Sequence, residues 1–195
     1  MKNIARLLML ALIAGSTSAC TIRHMVADDY PQYLVKNAGA ANLPHTDRAG
    51  QYVLSQNTQR SSYEFRAFAS GEANLWIVEF GRMLDDTLMS ADVQKAFGSL
   101  QKAGDASQGR NGLLLFDLQT YTFQEFGAHI SLKVSLMRGG QEVFSKTYNQ
   151  DGKTQGGKMF WGGAWAQKNA VQQSTKLALD EILRELIADL NAQKK

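Results

Sequence analysis

The sequence predicts an α/β domain built as a two-layer sandwich, with a mostly antiparallel sheet and helices packed on one face. Three observations predict it. Residues 128–137 alternate strictly, with Ala128, Ile130, Leu132, Val134 and Leu136 on one side and His129, Ser131, Lys133 and Ser135 on the other. Arg138-Gly139-Gly140 then supplies turn chemistry that returns the chain into a partner strand at 142–148. Residues 167–190 carry a broad stripe of Val171, Thr175, Ala178, Leu179, Ile182, Leu183, Leu186 and Leu190, opposite Asp180, Glu181 and Arg184. A stripe of that width suits a helix lying on a sheet, and neither apolar surface is stable alone in water.

The remaining elements follow in chain order. Tyr52 and Leu54 give a short strand at 51–55. Tyr63, Phe65, Ala67 and Ala69 alternate with Glu64, Arg66 and Phe68, a strand over 62–70. After Gly71 the period changes: Trp76, Ile77, Phe80, Met83, Leu84 and Leu88 fall on one helical arc, with Glu79, Arg82, Asp85 and Asp86 opposite. Gly81 inside that helix costs about 1 kcal/mol relative to alanine, which close approach of a neighbouring element would explain. Ser90 is a candidate N-cap for a second helical piece carrying Val93, Ala96, Phe97 and Leu100. Residues 112–122, with Leu113, Leu114, Leu115, Phe116 and Leu118, read as a central strand apolar on both faces. The expected order is β-β-α-(α)-β-β-β-α.

The first 20 residues have the layout of a secretory signal. Lys2 and Arg6 precede the apolar run 7–14, and Gly15-Ser-Thr-Ser-Ala leads to Cys20, the sole cysteine of the chain. The run is too short to span a bilayer, which takes about 20 apolar residues. A cysteine directly after small residues resembles a bacterial lipobox, with Thr17 where leucine is usual. Such a cysteine takes a diacylglyceryl thioether, and two or more acyl chains hold a protein stably at a membrane. Thr21 follows rather than an aspartate, so the expectation is the periplasmic face of the outer membrane. Residues 1–19 are expected as signal peptide, 20–49 as the lipidated N-terminus and a tether with a short ordered piece near 30–35, and 50–195 as the domain.

Loss of residues 1–19 takes Lys2 and Arg6 away from the 21 Lys+Arg, leaving 19 against 18 Asp+Glu. A net charge of +1 makes no electrostatic case for nucleic acid. Chemistry-bearing patterns are sparse. His24 and His45 fall in the expected tether. Ser131, His129 and Asp117 can be drawn as a triad, but Ser131 and His129 are two apart on one strand, with side chains roughly parallel. There is no Gly-x-Ser-x-Gly elbow, metal-ligand spacing or cofactor motif. Gly152-Lys153-Thr154 lacks the upstream glycine of a phosphate loop. Asp85 and Asp86, adjacent on a helix, are expected to solvate its outer face. The expectation is a protein that is not an enzyme and holds neither metal nor cofactor.

One segment differs. Gly156-Gly-Lys-Met-Phe-Trp-Gly-Gly163 and Trp165 read as a glycine-flanked aromatic loop. Met159, Phe160, Trp161 and Trp165 either fold over the end of the sandwich or contact a partner or lipid. Large aromatic side chains bury much area for few rotatable bonds.

The Cys20 signal, the expected helix 76–88, the strand ending Val143-Phe-Ser-Lys-Thr-Tyr148 and the late helix over 178–189 resemble the YajG-like and ABC-transport auxiliary lipoproteins. The shared features beyond the signal cover roughly residues 50–190. The resemblance implies a small periplasmic α/β lipoprotein similar in architecture to the N-terminal domain of TolB. It implies an accessory role in lipid transport or envelope assembly, with Cys20 as the only residue carried over. Expected partners are membrane lipid through acylated Cys20 and one or more envelope proteins, with oligomerisation open. A lipid-binding module and an envelope hydrolase are the alternatives.

Overall fold

The structure, a computed structural model, describes residues 21–67, 71, 73–104, 112–153 and 159–193, with the backbone alone for 159–164. Its elements are β1 (Ile22–Met25), a 3-10 turn (Ala27–Asp29), α1 (Tyr30–Lys36), β2 (Gln51–Leu54), α2 (Gln56–Arg60), β3 (Tyr63–Phe65) and β4 (Asn74–Val78). Then come α3 (Phe80–Leu88), α4 (Ala91–Phe97), β5 (Gln101–Lys102), β6 (Leu113–Gln124), β7 (Gly127–Arg138), β8 (Gln141–Lys153) and α5 (Met159–Ala192). The expected fold class holds: this is a mixed α/β domain whose long ladders are antiparallel and whose helices pack against them.

Five strands form one sheet in the order β5-β2-β6-β7-β8, with β2 parallel to both β5 and β6. The β6-β7-β8 meander is antiparallel throughout. Its alternation sends Ile130, Leu132, Val134 and Leu136 into the core with Leu179, Ile182, Leu183 and Leu186 of α5. A second, three-stranded sheet runs β1-β4-β3. It packs beside the part of β6 that follows a register shift against β7 between Leu118 and Thr120. There Tyr63 meets Tyr121 edge-on at 5.6 Å and Phe65 stacks on Phe123 at 5.1 Å.

Three expectations change. Residues 21–49, expected mostly as tether, belong to the fold: β1 pairs in parallel with β4, and Val26, Ala27 and Tyr30 are fully buried. Tyr30 donates to or accepts from Thr87 at 3.1 Å. The folded region therefore starts one residue after Thr21 rather than near Gly50. Trp76 and Ile77, expected in a helix, lie in β4, and the helix begins only at Phe80. Trp76 is buried, with His24 of β1 stacked on it at 4.4 Å. A strand entering a helix directly places its last residues on an arc that periodicity alone cannot distinguish from an earlier helix start. Finally, α5 starts at Met159, not Gln167, so the helical backbone runs through the glycine-flanked segment. A helix of 34 residues propagates cooperatively through two glycines that cost about 1 kcal/mol each.

The expectation for Gly81 is met. A Cβ there would lie 2.1 Å from the Thr58 carbonyl oxygen, so α3 crosses α2 at backbone contact.

Candidate interaction surface

α1 and the α3–α4 junction do not close on each other. Between them lies a groove of about 340 Å³ lined by Pro31, Leu34, Val35 and Ala38 from α1, and by Asp86, Met89, Ser90, Ala91 and Asp92, with Lys176 of α5. Local sequence explains its shape. Tyr30 and Leu34 turn inward to the core, which leaves Val35, the next residue round the helix, 77% exposed. Leu88 ends the buried arc of α3, and Met89, in its C-cap, is 62% exposed. Two large apolar side chains thus stand on facing walls of one groove.

The groove also holds ionisable groups. Asp86 Oδ2 is buried without a hydrogen-bond partner, the only such side-chain atom among the described residues. Burial pushes the Asp86 carboxyl above the usual aspartate range; Arg82 opposes this, Asp85 adds to it and Lys102 opposes it. An unmet buried acceptor costs about 1–3 kcal/mol. Asp92 accepts a bond from the Gly39 backbone N–H at 2.6 Å. Lys176 is paired with Asp180 in a buried contact along α5. Burial raises the Asp180 carboxyl's pKa, against the pull of the Lys176 ammonium. With Lys176 and Asp180 cancelling, Asp86 and Asp92 give the groove an acidic character.

Sequence reasoning missed this surface. Asp85 and Asp86 do not simply solvate α3. Asp85 accepts from Tyr52 at 2.8 Å and from Lys102 at 2.7 Å, while Asp86 faces the groove. Asp180, read as outward, is buried. Val35 and Met89 gave no signal because each is one apolar residue beside a regular arc, and only the packing of α1 beside α3 makes them neighbours.

Of the residues singled out in the sequence, Cys20 lies outside the described residues. Met159, Phe160 and Trp161 fall in the first turn of α5, where the backbone alone is described. Trp165 is on α5 and 77% exposed. Gly152 serves packing, with a virtual Cβ 1.7 Å from the Ser174 carbonyl oxygen. The drawn triad is not assembled: Asp117 accepts a bond from Ser55, and His129 Nδ1 pairs with Asp151 at 2.7 Å in an open polar hollow beside Ser131. No cluster of three or more His, Cys, Asp or Glu suited to a metal occurs among the described residues. No described helix is long and apolar enough to cross a membrane.

The class these observations define is an α/β domain with an apolar, acid-edged groove beside its helical layer. No family model matches the chain, and no curated protein matches it. Among solved structures, it is similar to a Xanthomonas campestris protein described as DUF330, at 13% identity and a TM-score of 0.48, over 78% of this chain and 92% of that one. It is also similar to an uncharacterized protein at 16% identity and a TM-score of 0.45, over 74% of this chain and 95% of that one.

Proposed function

We propose that the protein is a non-catalytic, membrane-anchored lipoprotein that serves as an accessory or assembly component of an envelope complex by protein contact. The lipobox-like run ending at Cys20 supports the anchor, with the periplasmic face of the outer membrane as its site. The resemblance to YajG-like and ABC-transport auxiliary lipoproteins supports the accessory role. The observation that carries the contact reading is the groove between α1 and the α3–α4 junction. Val35 and Met89 are exposed across it, and beside them Asp86 keeps a buried oxygen without a donor. A partner segment bringing an apolar side chain would cover Val35 and Met89, and an Arg or Lys on it would complement the Asp86 and Asp92 carboxyl groups that line the groove.

Two measurements test this. The intact mass of the protein extracted from membranes reads the anchor, and an unmodified thiol at position 20 would refute it. A photo-crosslinking residue placed at Val35 or Met89 in membranes reads the groove, with Leu177 on α5, also exposed, as control. A discrete adduct from both groove positions, lost on Asp86→Lys, is expected. Adducts indifferent to that charge reversal, or none, would remove the groove as the docking site.

A further inference from the structure

The walls of the groove between α1 and the α3–α4 junction select the shape of what fills it. α1 turns two sides to apolar surroundings. Tyr30 and Leu34 are buried in the core. Pro31, Leu34 and Val35, with Ala38 just past the C-cap, line the groove. These four positions are spaced i, i+3, i+4 and i+7, the stripe by which one helix lies against another. The stripe is about 10 Å long at 1.5 Å per residue. The facing wall adds Met89 with Ser90 and Ala91, whose small side chains let an occupant approach closely.

Much of the backbone around the groove is already engaged. The Met89 and Ser90 N–H groups donate to the Asp85 and Thr87 carbonyls, the Ala38 N–H to the Val35 carbonyl, and the Gly39 N–H to Asp92. No strand borders the groove among the described residues. An extended segment laid there would find no ladder, and its own N–H and C=O groups would go unpaired against apolar walls. A helix arrives with those groups bonded within itself. Charge narrows the choice again. Lys176, which α5 contributes to the lining, is paired with Asp180. Arg82 and Lys102, whose charges also act on Asp86, are held by Asp28 and Glu79 and by Asp85. Asp86 and Asp92 therefore set the sign of the groove. A second copy docking groove to groove would bring the same carboxylates against them, a like-charge clash that disfavours it.

We propose that the occupant is a basic, amphipathic α-helix of a partner protein. It lies along α1 with its apolar residues, spaced three or four apart, toward Val35 and Met89, and an Arg or Lys beside Asp86 and Asp92. The proposal deepens the contact reading above and rests on it. About two turns of helix cover the stripe. The apolar anchors bury Val35 and Met89, while the charge pairing fixes register and orientation.

The test reads the partner's shape as well as its presence. A photo-crosslinking residue is placed in turn at Pro31, Val35 and Ala38 of the full chain in the cells that make it, and the captured peptides are sequenced by mass spectrometry. The captured positions should step by three or four residues along one partner segment, with an Arg or Lys within a turn of them. A synthetic peptide of that segment, titrated onto the full chain, should gain helical circular dichroism. Proline at its centre, or Glu in place of its basic residues, should weaken binding by about tenfold or more. Steps of two residues, a segment without basic residues, or a peptide that binds with no helical gain would overturn the helix and leave the groove a docking site. An adduct of twice the chain's mass would overturn it in favour of a second copy. Absence of any adduct would remove the docking reading itself, and this inference with it.

Discussion

The α-carbon of Gly152 in β8 faces the backbone carbonyl of Ser174 in α5 so closely that a Cβ would lie 1.7 Å from its oxygen. Backbone cannot yield as a side-chain tip can, so helix and sheet would have to part. Gly152→Ala is therefore expected to destabilise the fold by about 3 kcal/mol or more, at or above the upper end of overpacking costs. Urea unfolding checks this against Gly50→Ala, where a Cβ meets nothing within 4 Å and the change should stay within about 1 kcal/mol.

Thr58 joins α2 to the bulged strand. Its hydroxyl donates to the Phe116 carbonyl at 3.3 Å and accepts from the Leu118 N–H at 2.7 Å, while the Ser55 hydroxyl lies 2.9 Å away. Thr58→Val keeps the shape and strands the Leu118 N–H in the core. A loss of about 1–3 kcal/mol is expected, and amide exchange at Leu118 should accelerate beyond what global destabilisation explains.

Asp189 makes stability depend on pH. Burial alone would raise its carboxyl, but hydrogen bonds from Lys146 and Tyr148 and the Lys146 charge hold it below the usual aspartate range. With the folded value depressed, the unfolded chain binds more protons in the window beneath the ordinary value of about 4. The contribution is thus complete above that value and lost as the pH falls through the depressed folded one. Thermal melts from pH 6 to pH 2 should show an acid limb that is shallower in Asp189→Asn.

Asp86 is expected to weaken the isolated fold. Its buried oxygen lacks a donor and its charged form is disfavoured by burial. Asp86→Ala removes that burden and suits α3 by propensity. A gain of up to about 1 kcal/mol in chemical denaturation is expected; a loss of stability would mean that Asp86 serves the fold rather than a contact.

The Glu125-Phe126 turn between β6 and β7, with φ +48° and +62° at two non-glycine residues, gives a matching prediction. Replacing the pair with Asn-Gly supplies residues that tolerate positive φ and should stabilise the hairpin by about 1–3 kcal/mol. Urea unfolding of the two forms checks it.

The elements legible in the sequence were those whose pattern is long or chemically marked. The alternation of 128–137, the Gly139-Gly140 turn and the stripe ending at Leu190 each repeat often enough to set a period. β1 could not be read this way. Its four residues, Ile22–Met25, form a strand only because Asn74–Ile77 offers them an edge some fifty residues later. β4 was hidden because Trp76 and Ile77 continue the arc of α3 backward. The groove was illegible for a related reason: Val35, Asp86 and Met89 are unremarkable singly, and only the packing of two helices brings them together. Cys20 and Trp165 were marked by residue type, which needs no tertiary knowledge.

β1 begins directly after Thr21, and the proposed anchor therefore has almost no leash. The meander's strands are 12 or 13 residues long, about 40 Å at 3.3 Å per residue. A protein fastened so short cannot fish across a compartment for distant targets. With the proposed anchor at Cys20, whatever meets the α1–α3 groove would have to travel to the membrane itself, or already be embedded in it.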